Sequence, residues 1–295
     1  MSLFSPNNLF TPTPPSPLRH FLLSPTHFLA QWLYTHQPPL TPPVPGSPPL
    51  KLVCISDTHN ARPVLPAGDI LLHAGDMTIN GSVKEVQAQV DWMNSLGYVG
   101  TVVIAGNHDV CLSRAEKGKA EINWGKVVYL QNESTRVSVK GRVVNIYGAP
   151  QTLRYGNWAF QYEPRDAEVV WAKSIPLGTD VLLTHSPARG HVDANLGCKA
   201  LLKEIRRVRP RVSVCGHVHH ARGVERGEWG GVSEGHDAVG MGEGGVWGLG
   251  RMFGAWGLAW VRYVVIGEGR KGEVVWVNAA MREGGSGEEG WVVEI

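Results

Sequence analysis

The sequence predicts an α/β fold built on mixed sheets, and three observations carry that expectation. Short, continuous apolar runs alternate with helix-period segments from residue 51 onward, the pattern of strands buried on both faces. In the middle of the chain, three runs follow one another closely enough to pair antiparallel. Polar residues then interrupt five of the apolar runs at their C-terminal ends, the edge where open sheets with parallel strands collect ligands.

Composition sets the outer limits. The chain of 295 residues is 43% hydrophobic, enough to bury a sizeable core, and its formal net charge of +2 gives no electrostatic case for nucleic acid as the main partner. Four cysteines (Cys54, Cys111, Cys198 and Cys215) form no C-x-x-C pair, and two of them lie inside apolar runs, where a reduced thiol packs as a small hydrophobe. That favours a reducing, cytoplasmic setting. No apolar run reaches the ~18 residues a membrane-spanning helix needs.

Thirteen of the 20 prolines fall in residues 1–50, which contain no acid and one arginine, Arg19. Pro-rich pieces at 11–17 and 38–49 favour extended backbone, so residues 1–50 read as a disordered tail. Its apolar stretch at 21–34, split by Pro25, could bind a partner or a membrane surface. The lack of acids also leaves mitochondrial targeting open, although a single arginine is few for a transit peptide.

From residue 51 the elements follow in order. Residues 52–55 and 70–72 read as buried strands. Ser82 and Glu85 form a capping box, with Val83, Val86, Val90 and Met93 at helical spacing and Gly97 as the stop. A strand at 101–105 comes next. Strands at 127–130, 135–139 and 142–147 follow, the last two joined by Lys140-Gly141 as a tight turn. Buried strands recur at 181–183 and 212–215. Between them Cys198, Leu201, Leu202, Ile205 and Val208 mark an amphipathic helix ended by Pro210, and its outer Lys199, Lys203, Arg206 and Arg207 read as a solvated face. Residues 221–272 hold sixteen glycines and no strong period until 261–266, so a loop-rich insertion is expected there. Strands at 274–277 and 291–294 complete the sheets. The organisation this implies is one domain, 51–295, with a Gly-rich insertion and a preceding tail.

The five interruptions carry ligand-type residues: Asp57-Thr-His59, Gly75-Asp76, Gly106-Asn107-His108-Asp109, His185 and Gly216-His217-Val-His219. Any one alone could be a turn or a structural histidine. Together they point to metal ions held by mixed oxygen and nitrogen donors. Glycine stands immediately before Asp76, Asn107 and His217, where a tight turn or a close backbone approach would require it.

In this order, and with the surrounding words Cys-Ile-Ser-Asp-Thr-His, Leu-Leu-His-Ala-Gly-Asp, Val-Ile-Ala-Gly-Asn-His and Val-Asn-Ala-Ala, the blocks resemble the motif of the calcineurin-like metallophosphoesterases. The wording is similar in particular to the branch of metallophosphoesterase-domain-containing (UPF0046-type) proteins. The resemblance covers roughly residues 51–220 and the terminal strands, leaving out the tail and the Gly-rich segment. It implies a four-layered αββα sandwich of two mixed sheets, with a dinuclear metal site at strand C-terminal ends. Asp76 is then the shared bridge. Asp57, His59 and His219 complete one ion's shell, and Asn107, His185 and His217 the other's.

Two divalent ions outweigh two carboxylates and a hydroxide, so such a centre should bind an anion. The donor set contains no thiolate and several imidazoles, which favours Mn²⁺, Fe or Zn²⁺ over a soft-metal cluster or over Ca²⁺ or Mg²⁺ alone. The reaction implied is phosphoester hydrolysis by a hydroxide bridging the ions, with His108 as proton donor to the leaving group and Asp109 orienting its ring. The expected substrate is a small phosphodiester such as a cyclic nucleotide. A phosphomonoesterase or protein phosphatase is the alternative within catalysis, and a non-catalytic scaffold on the same fold is the alternative outside it.

Other residues carry weaker expectations. His73 is expected to pack or to support a ligand rather than bind metal. His191 and His220 could line the pocket, and Arg154, Asn157 and Trp158, on the segment 151–160, could approach the substrate.

Overall fold

The structure, a computed structural model, describes residues 16–39, 49–113, 115–267, 269, 273–281 and 289–295. In chain order its first elements are α1 (Pro17–Leu23), α2 (Pro25–Thr35), β1 (Lys51–Ile55), β2 (Ile70–His73), α3 (Val83–Ser95), β3 (Gly100–Ile104), α4 (Ala115–Ala120) and β4 (Val127–Leu130). Next come β5 (Glu133–Val139), β6 (Arg142–Ala149), β7 (Thr152–Leu153), β8 (Gln161–Tyr162), α5 (Ala167–Trp171), β9 (Val181–Thr184), α6 (Lys199–Val208) and β10 (Val212–Cys215). The chain ends with β11 (Gly223–Glu228), α7 (Gly231–Gly240), α8 (Gly245–Ile266), β12 (Glu273–Asn278) and β13 (Trp291–Glu294). Two compact units divide the chain: one draws its described residues from Met1–Pro42 and Glu228–Lys271, the other from Pro43–Gly227 and Gly272–Ile295.

The larger unit holds two mixed sheets, ordered β13-β1-β2-β3-β4 and β11-β12-β10-β9-β6-β5. In the first, β1 to β4 are parallel and β13 is antiparallel to β1; in the second, β5 is antiparallel to β6. Alternate residues of each strand face opposite sides. Leu52, Cys54, Ile70 and Leu72 therefore meet Val181, Leu183, Val212 and Val214 between the sheets. Their neighbours Val53, Ile55 and Leu71 pack outward on Val86, Val90 and Met93 of α3. Each buried Leu, Ile or Val contributes about 1.5–3 kcal/mol. Helix α6 buries Leu201, Leu202 and Ile205 and packs beside α5, and the layers run helix, sheet, sheet, helix.

Local chemistry sets the ends of these elements. The Ser82 hydroxyl accepts the Glu85 N–H at 3.2 Å while the Ser82 N–H donates to Glu85 Oε2 at 3.0 Å, closing the capping box of α3. Lys140 (φ 50°) and Gly141 (φ 74°) both take left-handed backbone, as a two-residue hairpin turn between β5 and β6 requires. At the end of α6, Arg209 (φ 57°) adopts the left-handed cap just before Pro210.

The smaller unit corrects two expectations. The Gly-rich segment is not loop-rich: beyond β11 its described residues are largely the helices α7 and α8, and residues 261–266 are the last turns of α8. Glycine costs a helix about 1 kcal/mol per residue relative to alanine, a penalty that tertiary burial overrides here. Leu249 and Met252 of α8 pack with Val232 and Val239 of α7 and with Ala30 and Leu33 of α2. The described part of the expected tail is likewise helical, with Pro17 and Pro25 at the first turns of α1 and α2, where a missing N–H costs nothing. Helices from the tail and from the Gly-rich segment thus share one apolar cluster, the Gly-rich part of it lying in the chain between two stretches of the larger unit. Residues 1–15 and 40–48 of that tail lie outside the described residues. Among the described residues, no helix is long and apolar enough to cross a membrane.

Candidate metal centre

Parallel register brings the ligand-type residues level. Ile55 pairs with His73 and His73 with Val103, so β1, β2 and β3 end together and deliver Asp57, Asp76 and Asn107 to one edge. The chain then turns sharply: Asp57 (φ 56°), His59 (φ 44°), Asp76 (φ 53°) and, after β10, His217 (φ 67°) all take left-handed backbone. Such positions cost about 1–3 kcal/mol each and persist where the surroundings over-determine them. Here the Asp57 N–H donates to Gly75 O at 2.9 Å and the His59 N–H to Asp76 O at 3.2 Å, lacing one acidic turn to the other. Two glycines leave room for the carboxylates. A Cβ on Gly106 would sit 2.2 Å from Asp76 Oδ1, and one on Gly216 would sit 2.3 Å from Asp57 Oδ2.

Two clusters result. Asp57, His59 and His219 each offer one donor atom, all within 4.8 Å of one another, and Asp76, His185 and His217 do the same. His219 Nε2 lies 3.3 Å from Asp57 Oδ1, and His185 Nε2 lies 3.4 Å from Asp76 Oδ2. Asn107 joins the second cluster through Oδ1, 3.0 Å from His185 Nε2. The outer nitrogens are fixed by carbonyls, which can only accept: Nδ1 of His59 donates to Thr78 O at 3.2 Å and Nδ1 of His185 to Ala74 O at 2.8 Å. The Nε2 atoms are thereby directed into the clusters, as in histidines that ligate metals.

Electrostatics favour a cation. Burial works to raise Asp57 and Asp76, but hydrogen bonding and charge from His219 and His185 outweigh it and hold both below the usual carboxylate range. Burial likewise opposes charge on His185, yet Asp76 and Asp57 lift its pKa to about 9. For His217 burial dominates, reinforced by His185, and the pKa falls to about 4. Buried anionic oxygens and imidazoles are the donor set that suits divalent first-row ions, and the four cysteines are buried, form no disulfide and lie outside both clusters. The residues present fit such ions.

The clusters open on a cleft of about 580 Å³, whose wall also includes Ile79, Asn107, His108, Tyr155 and Trp158. The His108 backbone N–H donates to Asp76 Oδ1 at 2.7 Å, and its ring Nδ1 donates to Ile79 O at 2.8 Å. Strands β7 and β8 pair and pinch off the loop bearing Tyr155 and Trp158, and the Ala159 N–H ties that loop to Asn107 O at 3.2 Å.

Asp109 does not orient the His108 ring. Its buried carboxylate accepts the N–H groups of Gly106 (2.8 Å), Met77 (3.2 Å) and Thr78 (3.0 Å) and the Thr78 hydroxyl (2.8 Å). It binds the Asn107 turn to the Asp76 turn, while the Ile79 carbonyl holds the His108 ring. Burial and the Asp76 charge outweigh these donors and push the Asp109 pKa up to about 6.

The remaining residues fall as follows. His73 is buried and lies behind the acidic turns, where Nδ1 accepts the Gly75 N–H at 3.2 Å and Nε2 meets the Thr58 hydroxyl at 2.9 Å. His191 stacks on Trp276 with centroids 4.0 Å apart and contacts Glu225 at 2.7 Å, and neither it nor His220 is on the cleft wall. Of the 151–160 segment, Trp158 reaches the cleft, Arg154 pairs with Glu163 at 2.6 Å, and Asn157 is exposed off the wall. Sequence reasoning missed Tyr155, Thr78 and Ile79. Only Tyr155, an aromatic beside the Gly156-Asn157 turn, carried a readable signal.

Oxygen and imidazole clusters at the C-terminal edges of two facing sheets, beside a cleft with a histidine on its wall, define a candidate metal centre on an α/β fold. The calcineurin-like phosphoesterase family matches residues 50–221, and the chain belongs to that family. Human metallophosphoesterase domain-containing protein 1 is 35% identical over 228 residues, covering 64% of this chain and 68% of that protein. A probable rhamnogalacturonate lyase C of Emericella nidulans is 36% identical over 245 residues, 80% of this chain, but the chain spans only 23% of that protein's length. Among solved structures, TT1561 of Thermus thermophilus aligns with a TM-score of 0.44 and 11% identity, over 62% of this chain and 86% of that one.

Proposed function

We propose that this chain is a phosphodiesterase acting on a small phosphodiester, a cyclic nucleotide being one such substrate. Asp57, His59 and His219 would hold one ion and Asn107, His185 and His217 the other, with Asp76 between them. When bound, the ions would supply Lewis acidity to the phosphoryl oxygens and a water nucleophile at neutral pH. Manganese is the first ion to try, with iron and zinc next.

The observation that carries the reading is the placement of His108. Its Nδ1 proton is committed to the Ile79 carbonyl, so Nε2 is the nitrogen that can hold a proton and pass it to the departing ester oxygen in the cleft. Asp109 keeps the turn that carries Asn107 and His108 in register with Asp76. Trp158 and Tyr155 offer flat surfaces to the second ester group, which supports a diester over a monoester. Four buried cysteines without a disulfide fit a reducing compartment such as the cytoplasm.

Turnover of bis(p-nitrophenyl) phosphate and of p-nitrophenyl phosphate in Mn²⁺ tests this, and the diester is expected to turn over faster. Faster monoester turnover would replace the reading with a phosphomonoesterase or protein phosphatase. Bound metal without turnover of either would leave a scaffold.

A further inference from the structure

Helix α8 has two apolar faces, and among the described residues only one of them is covered. The inner face buries Leu249 and Met252 in the cluster shared with α7 and α2. A helix on a protein surface ordinarily turns polar residues outward. Here the outward positions are Trp247 (88% exposed), Leu258 (58%), Val261 (57%) and Val265 (76%), which recur at helical spacing opposite Leu249 and Met252. Among the described residues, 261–266 are all exposed, Tyr263 the least so at 36%.

The charge on this helix selects what would cover it. Arg251 and Arg262 are its only charged residues; both are exposed, and each follows an outward apolar residue by four positions. Helices α1 and α2 add an exposed Arg19 and no acid, and α1 also exposes Leu18, Leu22 and Leu23. The described acids of this unit sit on the end of β11, on α7 and in the turn before α8. A second copy of the chain would set arginine against arginine, whereas anionic headgroups over an acyl boundary match both the charge and the apolar stripe. The helix is not apolar enough to cross a bilayer, which leaves it to lie along one.

We propose that α8 docks this protein on an anionic membrane surface, with Trp247, Leu258 and Val265 entering the headgroup boundary and Arg251 and Arg262 on lipid phosphates. The inference does not depend on the catalytic reading.

Cosedimentation of the full chain with vesicles tests it. The chain should sediment with phosphatidylcholine vesicles that contain phosphatidylserine, stay in solution with phosphatidylcholine alone, and be released as salt is raised. Replacing Trp247 and Val265 together by glutamate should abolish binding. Arg251→Gln and Arg262→Gln should each weaken it about fivefold, the contribution of one arginine near an anionic surface. All four positions are exposed, and an unchanged circular dichroism spectrum shows that the variants fold. Three results would overturn the proposal: no sedimentation with either vesicle, equal sedimentation with both, or a stable dimer in light scattering that the Trp247 and Val265 changes dissolve while vesicles go unbound.

Discussion

The indole of Trp158 lies against the imidazole of His108, ring centroids 4.2 Å apart and planes 29° from parallel. With the Ile79 carbonyl on Nδ1, this contact holds the ring over the cleft. Aromatic pairs of this kind are worth about 0.5–1.5 kcal/mol beyond area burial. Trp158→Ala should therefore lower kcat on a methyl phosphodiester, whose alkoxide needs a proton to depart, by up to about tenfold at unchanged metal content, and Trp158→Phe should recover most of it. Equal rates in wild type and Trp158→Ala would show that the stacking does not position His108.

His108→Ala should leave metal content intact and slow turnover by about 10²–10⁴-fold, the range of general acid catalysis. The loss should be large for a methyl ester, whose alkoxide needs a proton to depart, and small for a nitrophenyl ester, whose phenolate does not. Equal losses for both leaving groups would assign His108 a structural role.

The four bonds accepted by the Asp109 carboxylate make it a brace between two turns. Asparagine can accept at only one of its two terminal atoms and would set an NH₂ group against backbone N–H donors. Asp109→Asn should therefore cost roughly 1–3 kcal/mol in urea unfolding. Unchanged stability with lost activity would instead return Asp109 to an orienting role toward His108.

Much of this centre was legible in the sequence because its chemistry sits at strand ends: Asp57, Asp76, Asn107, His185 and His217 each follow a buried run closely. The partners of Asp109 were not legible. Met77 and Thr78 lie about thirty positions away and act through backbone N–H groups, which carry no residue signature. The helices α7 and α8 were hidden for a different reason. Their glycines signal loop, and only the packing of Leu249 and Met252 against α7 and α2 reverses that preference. At Pro25 the signal was present but read one way only, since a proline that splits an apolar stretch can also open a helix.

Glu85 gives a pH test of the fold that is independent of catalysis. Burial works to raise its pKa, but hydrogen bonds from Ser82, Asn60 and Asn80 outweigh it and lower the value from 4.5 to about 2. A carboxylate depressed in the folded state stabilises fully above its unfolded pKa, and that contribution fades as pH falls through the folded value. Glu85→Gln should thus cost about 1 kcal/mol at neutral pH, the usual worth of a helix cap, and close to nothing near pH 2. A cost that did not change with pH would mean that the charge on Glu85 contributes nothing to the cap.

In the proposed site the two clusters form one dinuclear centre joined by Asp76. Elemental analysis of the full chain after Mn²⁺ loading and desalting tests it most directly. The expected result is about two ions per chain in the wild type and one or fewer in Asp76→Asn. A folded wild-type chain that returned no bound metal under any loading condition would contradict it.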